Sequence, residues 1–538
     1  MSNTSQKVNV TSVELLTIMK AKSKPMSEAN PSPLVSGEVG DDGRADSQRS
    51  LARQIIDIVR GEADLFHDQE KRGHVLVDWE GHRDIFRIGS EDFSHYLAHV
   101  AWRHFGEALS SYAQEKITGT LESIARFEGE KRMLYLRTAW DQGILWYDLG
   151  DWKAVKITTS GWEVVENPPI LFRRFAHGKV QVDPVEGGEL RNLLQYLNID
   201  PKKQRGMEIL LLTYLVAVLI PDVPRPILAP HGLPGSAKST YSRVIKSLID
   251  PSLLEVMTYP SQSQELIQML AHHYLICFDN LSDLSERQSD ELCRACTGQA
   301  FSKRALYSDD NDVIYCYKRA LLINGVSLVA TKSDLLDRSL IFELEPIPPN
   351  KRIDEETIMK RFEEEKPKLL GAIFSALSKA MALREQGVIE LKMKPRLADY
   401  ALWASAAAMA LGYSVNDFIG AYQENVELQN AEALEASPIA QTVIEYMRGK
   451  KDSRMSAAAL FPILQKVAEG LGLGKTSSFP KDSNWLWRKI KEVKANLLSI
   501  GIIVDYDKRA RPREITMENL NFESVDLADF GDGTWPPK

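Results

Sequence analysis

Apolar and polar residues change their rhythm several times along the chain. Up to residue 48, Ser, Pro, Gly and Asp dominate apart from a short amphipathic stretch at Val13–Met19. This predicts a flexible segment, 1–48, with one stretch able to dock. In "RQIIDIVRGEADLF" and "FSHYLAHVAWRHFGEAL" the apolar residues then recur at helical spacing. "RMLYLRTAW", "GILWYDLG", "WKAVKITTS" and "GWEVVENPP" alternate instead, and turn residues separate them, which predicts a twisted antiparallel sheet. Residues 49–190 thus read as an α+β unit. Six of the ten tryptophans fall between Trp79 and Trp162. Sheet core is their expected use, with a binding face as the alternative.

Between residues 191 and 350, helical text alternates with short, continuously apolar runs: "RPILAP", "HHYLICFDN", "RALLINGVS" and "SLIFELEPI". Strands of that kind, separated by helices, predict a parallel sheet covered on both faces, and hence an α/β fold class. The most apolar run, "MEILLLTYLVAVLIPDV", reaches Pro221 after roughly fifteen residues, short for a membrane span, and predicts a buried helix. Residues 351–435 are almost purely helical. Residues 436–519 read helix, helix, helix, then "GIIVDYDKRARPREITM", a hairpin with a basic turn, and the tail 520–538 is acidic. No internal repeat is visible.

Composition narrows the picture. A chain of 538 residues implies two to four domains. The formal net charge of −8 means that any nucleic-acid site must be a local patch. Residues 437–519 supply one, with 15 Lys/Arg against 9 Asp/Glu. The four cysteines, Cys277, Cys293, Cys296 and Cys316, offer no disulfide framework and suit a reducing cytoplasm. Cys293 and Cys296 form a lone C-x-x-C with no second pair, so a buried helix face is expected there in place of a metal site. No secretory signal pattern is visible.

The candidate chemistry lies in "RPILAPHGLPGSAKST", which reads strand, glycine-rich turn, then helix. Gly232 and Gly235 let the backbone curl so that N–H groups, including those of Ser236 and Ala237, face an anion at the helix N-terminus. Lys238 reaches the β- and γ-phosphates of ATP, Ser239 offers its hydroxyl to Mg²⁺, and Thr240 follows in the first helical turn. Ala237 departs from the usual glycine before the lysine. On sequence grounds it adds one methyl, favours the helix and removes no donor. Some forty residues on, "YLICFDN" ends in Asp279, placed to hold Mg²⁺, and "ALLINGV" carries Asn324, placed to orient the attacking water. "DLLDRSLIFEL" presents Arg338 as an arginine finger toward a neighbouring subunit's nucleotide. Singly, each of these residues also suits an ordinary strand end or turn.

The series "GLPGSAKST", "LICFDN", "TGQAFSKRALY", "LLING" and "DLLDRSLIFELEPI" resembles the AAA+ cores of superfamily III helicases. It is most similar to helicase-like ATPases of phages, plasmids and integrative elements, including minichromosome-maintenance-like helicases. "FDNLSDLSERQSDELCRACTGQ" is characteristic of that group. The resemblance covers most of residues 50–519 and implies a ring, commonly a hexamer, with ATP bound between subunits. It implies an AAA+ core over 191–350, a helical lid over 351–435 and a winged helix over 436–519. The A-K-S ending that Ala237 creates is shared with minichromosome-maintenance helicases.

Two features depart from that pattern. Asn280 stands where many such ATPases carry a catalytic glutamate, and an amide cannot take a proton from water; Asp283 is a weak substitute. The expected pore hairpin, Phe301–Tyr307 and Val313–Tyr317, has an acidic turn, "SDDND", which repels phosphate. Lys303, Arg304, Lys318 and Arg319 then either carry the DNA contact or form structural salt bridges.

"FPKDSNWLWRKIKEVKANLLSIGI" resembles the C-terminal winged helix of phage-type primase-helicases. Leu486, Ile490, Val493 and Leu497 recur at helical spacing and predict the buried stripe, with Arg488 and Lys491 pointing away from it. Lys489 and Lys494 share the helix, while Lys508, Arg509, Arg511 and Arg513 form the wing, as candidate DNA contacts. A solvated face or a protein-docking module is the alternative. Trp485 and Trp487 flank the stripe and are expected to pack. The leading expectation is therefore a cytoplasmic, ring-forming, Mg-ATP-driven DNA helicase of a mobile element. The alternatives are a regulatory or defence AAA+ ATPase that binds DNA without unwinding it, and an initiator whose ATPase controls only assembly.

Overall fold

Ser50 caps the first helix with its side chain, accepting from the Arg53 N–H at the start of α1, Leu51–Glu62. The computed structural model describes residues 50–522, save 283, 300, 305–311, 316, 327, 329, 331, 392–394, 477 and 508. The chain leaves α1 at Ala63, earlier than its apolar rhythm suggests, and turns into a strand. That strand, β1 (Ala63–His67), joins β2 (Gly73–Trp79), β3 (His82–Arg87) and the short β4 (Glu130–Lys131) in the order β3-β2-β1-β4. Helices α2 (Glu91–Phe105) and α3 (Ser111–Phe127) close a core around Val75, Phe93, Leu97 and Leu121.

The alternating text forms the second sheet as expected. Its strands β5 (Thr138–Asp141), β6 (Ile144–Gly150), β7 (Lys153–Thr158) and β8 (Gly161–Glu166) pair in order, all antiparallel. Gln142 and Gly143 both take positive φ, 48° and 81°, as a two-residue turn matched to strand twist requires. The tryptophans correct the sequence reading. Of the six, only Trp146 is buried in the sheet core; Trp102 is 66% exposed. Two others use their indole N–H as clasps between units, Trp152 to Asp84 at 2.9 Å and Trp162 to Ser375 at 2.9 Å.

Next comes the buried helix α4 (Arg205–Ala217), with every side chain from Glu208 to Ala217 inside. The fully buried Arg225 closes its C-terminal end by donating to the carbonyls of Val218 and Ile220, at 2.8 and 2.6 Å. Around it build β9 (Ile227–His231), α5 (Lys238–Ile249), α6 (Ser263–His272), β10 (Leu275–Leu281) and α7 (Glu286–Thr297). A hairpin, β11 (Phe301–Arg304) with β12 (Asp312–Tyr315), precedes β13 (Ala320–Gly325), the short α8 (Ser333–Leu336) and β14 (Ser339–Glu343). The four-stranded sheet runs β10-β13-β9-β14 and is parallel throughout. Helices α9 (Glu355–Glu385), α10 (Ala398–Ala410) and α11 (Val415–Glu435) then pack against α4.

The last unit holds α12 (Pro438–Met447), β15 (Asp452–Ser456), α13 (Ala457–Gly470), α14 (Ser483–Glu492), α15 (Lys494–Ser499), β16 (Ile502–Asp507) and β17 (Glu514–Asn519). Its sheet is ordered β15-β17-β16, and Leu460, Leu464, Leu486, Ile490, Leu497, Val504 and Ile515 fill its core. The basic helix breaks at Val493 into α14 and α15, yet the predicted stripe is buried through both.

A boundary at residue 190 does not follow a break in the core. One apolar cluster runs from Leu145 and Tyr147 on the second sheet to Phe418 and Tyr422 on α11. A buried ionic group bridges the same junction. Asp250 accepts from Arg137 Nε at 3.0 Å, Lys246 Nζ at 2.8 Å and the backbone N–H groups of Tyr274 and Leu275, both at 3.0 Å. Burial alone would raise the Asp250 carboxyl, but Lys246 and Arg137 outweigh it and hold it well below the usual range.

Candidate functional site

The loop from Gly232 to Ala237 joins the C-terminal end of β9 to the N-terminus of α5. Two glycines are required where they stand. Gly232 has φ 151°, and a Cβ there would come within 2.2 Å of the Leu344 carbonyl; at Gly235, φ is 86°. Ala237 corrects the sequence reading. It is the N-cap of α5 at φ 62° and ψ 30°, left-handed backbone that suits glycine better than alanine. The position therefore asks for more than a small residue.

Lys238 turns back into the loop and donates to the Gly232 carbonyl at 2.7 Å, the Leu233 carbonyl at 3.3 Å and Ser236 Oγ at 3.3 Å. Burial lowers its ammonium from the ordinary value, against the pull of Asp279. Ser239 Oγ donates to both Asp279 oxygens, at 3.1 and 3.0 Å. Thr240 lies one position further along α5 and is buried. A glycine-lined cradle, an inward lysine and a hydroxyl–carboxylate pair fit a nucleotide phosphate chain with its divalent cation. The fitting residues are those the sequence singled out.

At the end of β10 the pairing with β13 shifts between Phe278 and Leu281, and Asn280 takes φ 57°. Asn is among the few residues that accept this conformation readily, which accounts for its presence in backbone terms. Its N–H donates to Asn324 Oδ1 at 2.9 Å, while its own side chain is exposed. Asn324 is buried, and its Nδ2 donates to Ser242 Oγ at 2.7 Å, so both ends of its amide are engaged. Ser242 in turn donates to the Lys238 carbonyl at 3.0 Å. One hydrogen-bonded chain thus joins α5, β13 and the irregular end of β10. Asp283 lies outside the described residues.

Arg338 is folded against its own chain. Its guanidinium pairs with Asp334, which also binds Arg396, and its Nη1 donates to the Asp334 carbonyl at 2.7 Å. The backbone of the β11–β12 hairpin is present, but the side chains of Lys303 and Arg304 lie outside what is described. Lys318 and Arg319 serve structural contacts, because both cations face the molecule's own carbonyls. Lys318 Nζ donates to the Asp222 carbonyl and Arg319 Nε to the Leu270 carbonyl, each at 2.6 Å. Burial pushes the Arg319 guanidinium down to about 10, and it covers the Tyr317 ring at 4.8 Å.

In the last unit the cations divide. Lys489 pairs with Glu492 at 2.8 Å and Lys494 pairs with Asp505. Arg488, Lys491, Arg509, Arg511 and Arg513 are exposed; Lys508 lies outside the described residues. Trp487 packs on Tyr506 as expected, with ring centroids 5.0 Å apart. Trp485 does not: it is 44% exposed, with the Arg488 guanidinium 5.0 Å from its ring. Cys277, Cys293 and Cys296 are buried free thiols, and burial pushes each up to about 12. Among the described residues no group of His, Cys, Asp and Glu is arranged to hold a metal by itself, and no helix is long and apolar enough to cross a membrane.

The sequence reading missed three residues around the loop. Ser242 was hidden in a helix with no motif. Asn198 donates to the carbonyls of Ser236 and Glu345, at 3.1 and 2.8 Å, tying the loop to the exit of β14. The Arg352 guanidinium lies over Gly235, where a Cβ would stand 2.9 Å from Nη2. Only proximity in the fold brings Asn198 and Arg352 to the site.

The structure thus defines an α/β protein whose candidate site is a glycine-rich loop between strand and helix, followed by a separate basic unit. Residues 191–426 match the family described as the actinomycete integrative conjugative element replication protein, and residues 439–524 match the C-terminal domain of that protein. Together these regions take in more than half of the chain, which belongs to this family of mobile-element replication proteins. No curated protein matches it in sequence. Among solved structures it is similar to the active helicase Cch of a type IV SCCmec cassette, at 11% identity and a TM-score of 0.43, covering 86% of this chain and 94% of that one. It is also similar to the C-terminal region of NrS-1, at 14% identity and a TM-score of 0.36, covering 88% and 100%. For a JCV helicase the values are 11% and 0.24, over 42% and 66%.

Proposed function

We propose that this replication protein is an AAA+ ATPase that moves along DNA as a helicase or translocase. In this reading residues 191–350 are the ATPase core, 351–435 its lid and 436–519 a winged helix, assembled as a ring, commonly a hexamer. The observation that carries the reading is the Ser239–Asp279 pair beside a loop into which Lys238 turns. Gly232, Gly235, Ser236, Ala237 and Thr240 shape the cradle for the phosphates, and Lys238 offsets their charge. Ser239 and Asp279 would hold Mg²⁺, which when bound neutralises charge building on the transferred phosphoryl group. Asn324 fixes the bulged end of β10 and thereby aims Asp279. Asn280, whose side chain is exposed, would help to position water without taking its proton. Arg338 would serve a neighbouring subunit's nucleotide after releasing Asp334. The exposed cations Arg488, Lys491, Arg509, Arg511 and Arg513 suit the backbone of duplex DNA.

A second reading, an ATPase that switches assembly without unwinding, draws support from the same Arg338–Asp334 pair and from the missing carboxylate at Asn280. ATP hydrolysis and strand displacement on forked DNA separate the two. Displacement by the native chain and its loss in Lys238→Ala support the helicase. Hydrolysis that no DNA stimulates at any salt concentration counts against it.

A further inference from the structure

Away from the phosphate loop, a cleft of about 350 Å³ opens between the first sheet and the second. A neighbouring pocket of about 280 Å³ shares Arg173, Arg174, Phe175 and His272 with it. Most of the charges along the cleft are already answered. Arg83 donates to the Pro168 carbonyl at 2.6 Å, Asp84 accepts from Trp152, and Arg174 pairs with Asp148 at 3.0 Å. Asp92 sits in the first turn of α2, where the helix N-terminus favours a negative charge.

Two guanidinium groups remain. Arg87 is exposed, Arg173 is half-buried, and neither has an ion-pair partner among the described residues. Arg173 lies over the Phe175 ring at 4.9 Å, and Phe175 stacks on His272 at 4.1 Å, so the guanidinium is held in place by rings. Burial and nearby Arg72 lower the Arg173 guanidinium from its ordinary value, against the pull of Glu70 and Asp68, whose carboxylates are themselves paired with Arg72 and His74. Ile85, Phe86 and Leu171 supply an apolar wall to the same cleft. Four arginines against two aspartates line the cleft, and this excess of positive charge beside an apolar wall, at a junction between units, suits a ligand with an anionic end and a flat apolar end.

We propose that this cleft binds one nucleotide unit, with Arg173 and Arg87 on its phosphate and its base against Ile85, Phe86 and Leu171. The unit comes either from a single DNA strand or from a free nucleotide. The site is independent of the phosphate loop, so the test uses the full chain carrying Lys238→Ala. One arm titrates thymidine monophosphate by calorimetry. The other cross-links a short single strand containing 5-iodouracil and maps the modified peptides. Saturable binding of the monophosphate assigns a free nucleotide, whereas cross-links on the peptides around Phe86 or Leu171 without such binding assign a strand. Either signal should fall roughly tenfold in Arg173→Ala and in Arg87→Ala, and be partly kept in Arg173→Lys. Absence of both signals overturns the proposal. So does a signal that Arg173→Ala and Arg87→Ala leave unchanged while their thermal melts remain native.

Discussion

Ser239 and Asp279, forty positions apart in the chain, meet through one hydroxyl that lies 3.1 and 3.0 Å from the two carboxylate oxygens. The contact latches the start of α5 to the end of β10, where a divalent cation would need both groups. Replacing Asp279 with Asn keeps a partner for the hydroxyl but removes the charge. In Asp279→Asn, Mg-dependent ATP hydrolysis should fall at least about a hundredfold. Nucleotide binding measured without Mg²⁺ should be nearly unchanged. Equal loss of both would mean that Asp279 only supports the loop.

Asn324 holds the site from beneath, with one end of its amide on the Asn280 N–H and the other on Ser242. Asn324→Ala takes the acceptor from the part-buried Asn280 N–H and leaves Ser242 with only its bond to the Lys238 carbonyl, and should cost about 1–3 kcal/mol by urea denaturation. Turnover should fall more than nucleotide binding does, because Asp279 loses its aim.

At Ala237 the left-handed backbone costs an L-residue roughly 1 kcal/mol. Ala237→Gly removes that strain but frees the unfolded chain by about 0.4–1 kcal/mol, so stability should hardly change. Ala237→Val should lose more than about 1 kcal/mol, since a β-branched residue fits this conformation poorly. Urea midpoints compare the three chains directly.

Burial lowers His272 to about 4 and His273 to about 3, with Arg173 and Lys246 adding to the effect on one and the other. Because the folded values lie below the unfolded one, the unfolded chain binds more protons in acid. The stability at issue is fully present above about pH 6.5 and is lost as pH falls toward the folded values. Melting temperature should therefore decline between about pH 6.5 and 4. The decline should be shallower in His272→Phe, which keeps the stacking on Phe175 but cannot titrate.

The cations of the last unit divide by partner. Arg511→Ala and Arg513→Ala should weaken duplex DNA binding and flatten its salt dependence by about one ion each. Lys489, paired with Glu492, should matter much less on substitution to Ala. Equal effects at Lys489 and Arg511 would point to a diffuse charge effect and not to a wing.

Much of this was legible in the sequence because periodicity and local chemistry agreed. The apolar runs at Ile227–His231, Leu275–Leu281, Ala320–Gly325 and Ser339–Glu343 are the four parallel strands. The stripe of Leu486, Ile490, Val493 and Leu497 is buried as its spacing predicts. What stayed hidden depends on distant partners. "DSRMS" is too polar to read as a strand, yet β15 pairs along β17 because the hairpin offers it an edge. Trp152 and Trp162 look like core residues until Asp84 and Ser375 are placed beside them. The backbone of Ala237 and the inward turn of Arg319 leave no mark in composition or period.

The Arg137–Asp250 group has a mechanical side. It lies where the second sheet meets the end of α5, the helix whose other end begins at Lys238. With an apolar core shared across the same junction, the second sheet cannot swivel by itself. Any tilt of α5 that follows events at the phosphate loop is passed to that sheet as to a rigid arm. The first unit meets that arm through a joint of its own, where Trp152 donates to Asp84, Arg83 to the Pro168 carbonyl, and Gln69 and the Leu134 backbone bond each other.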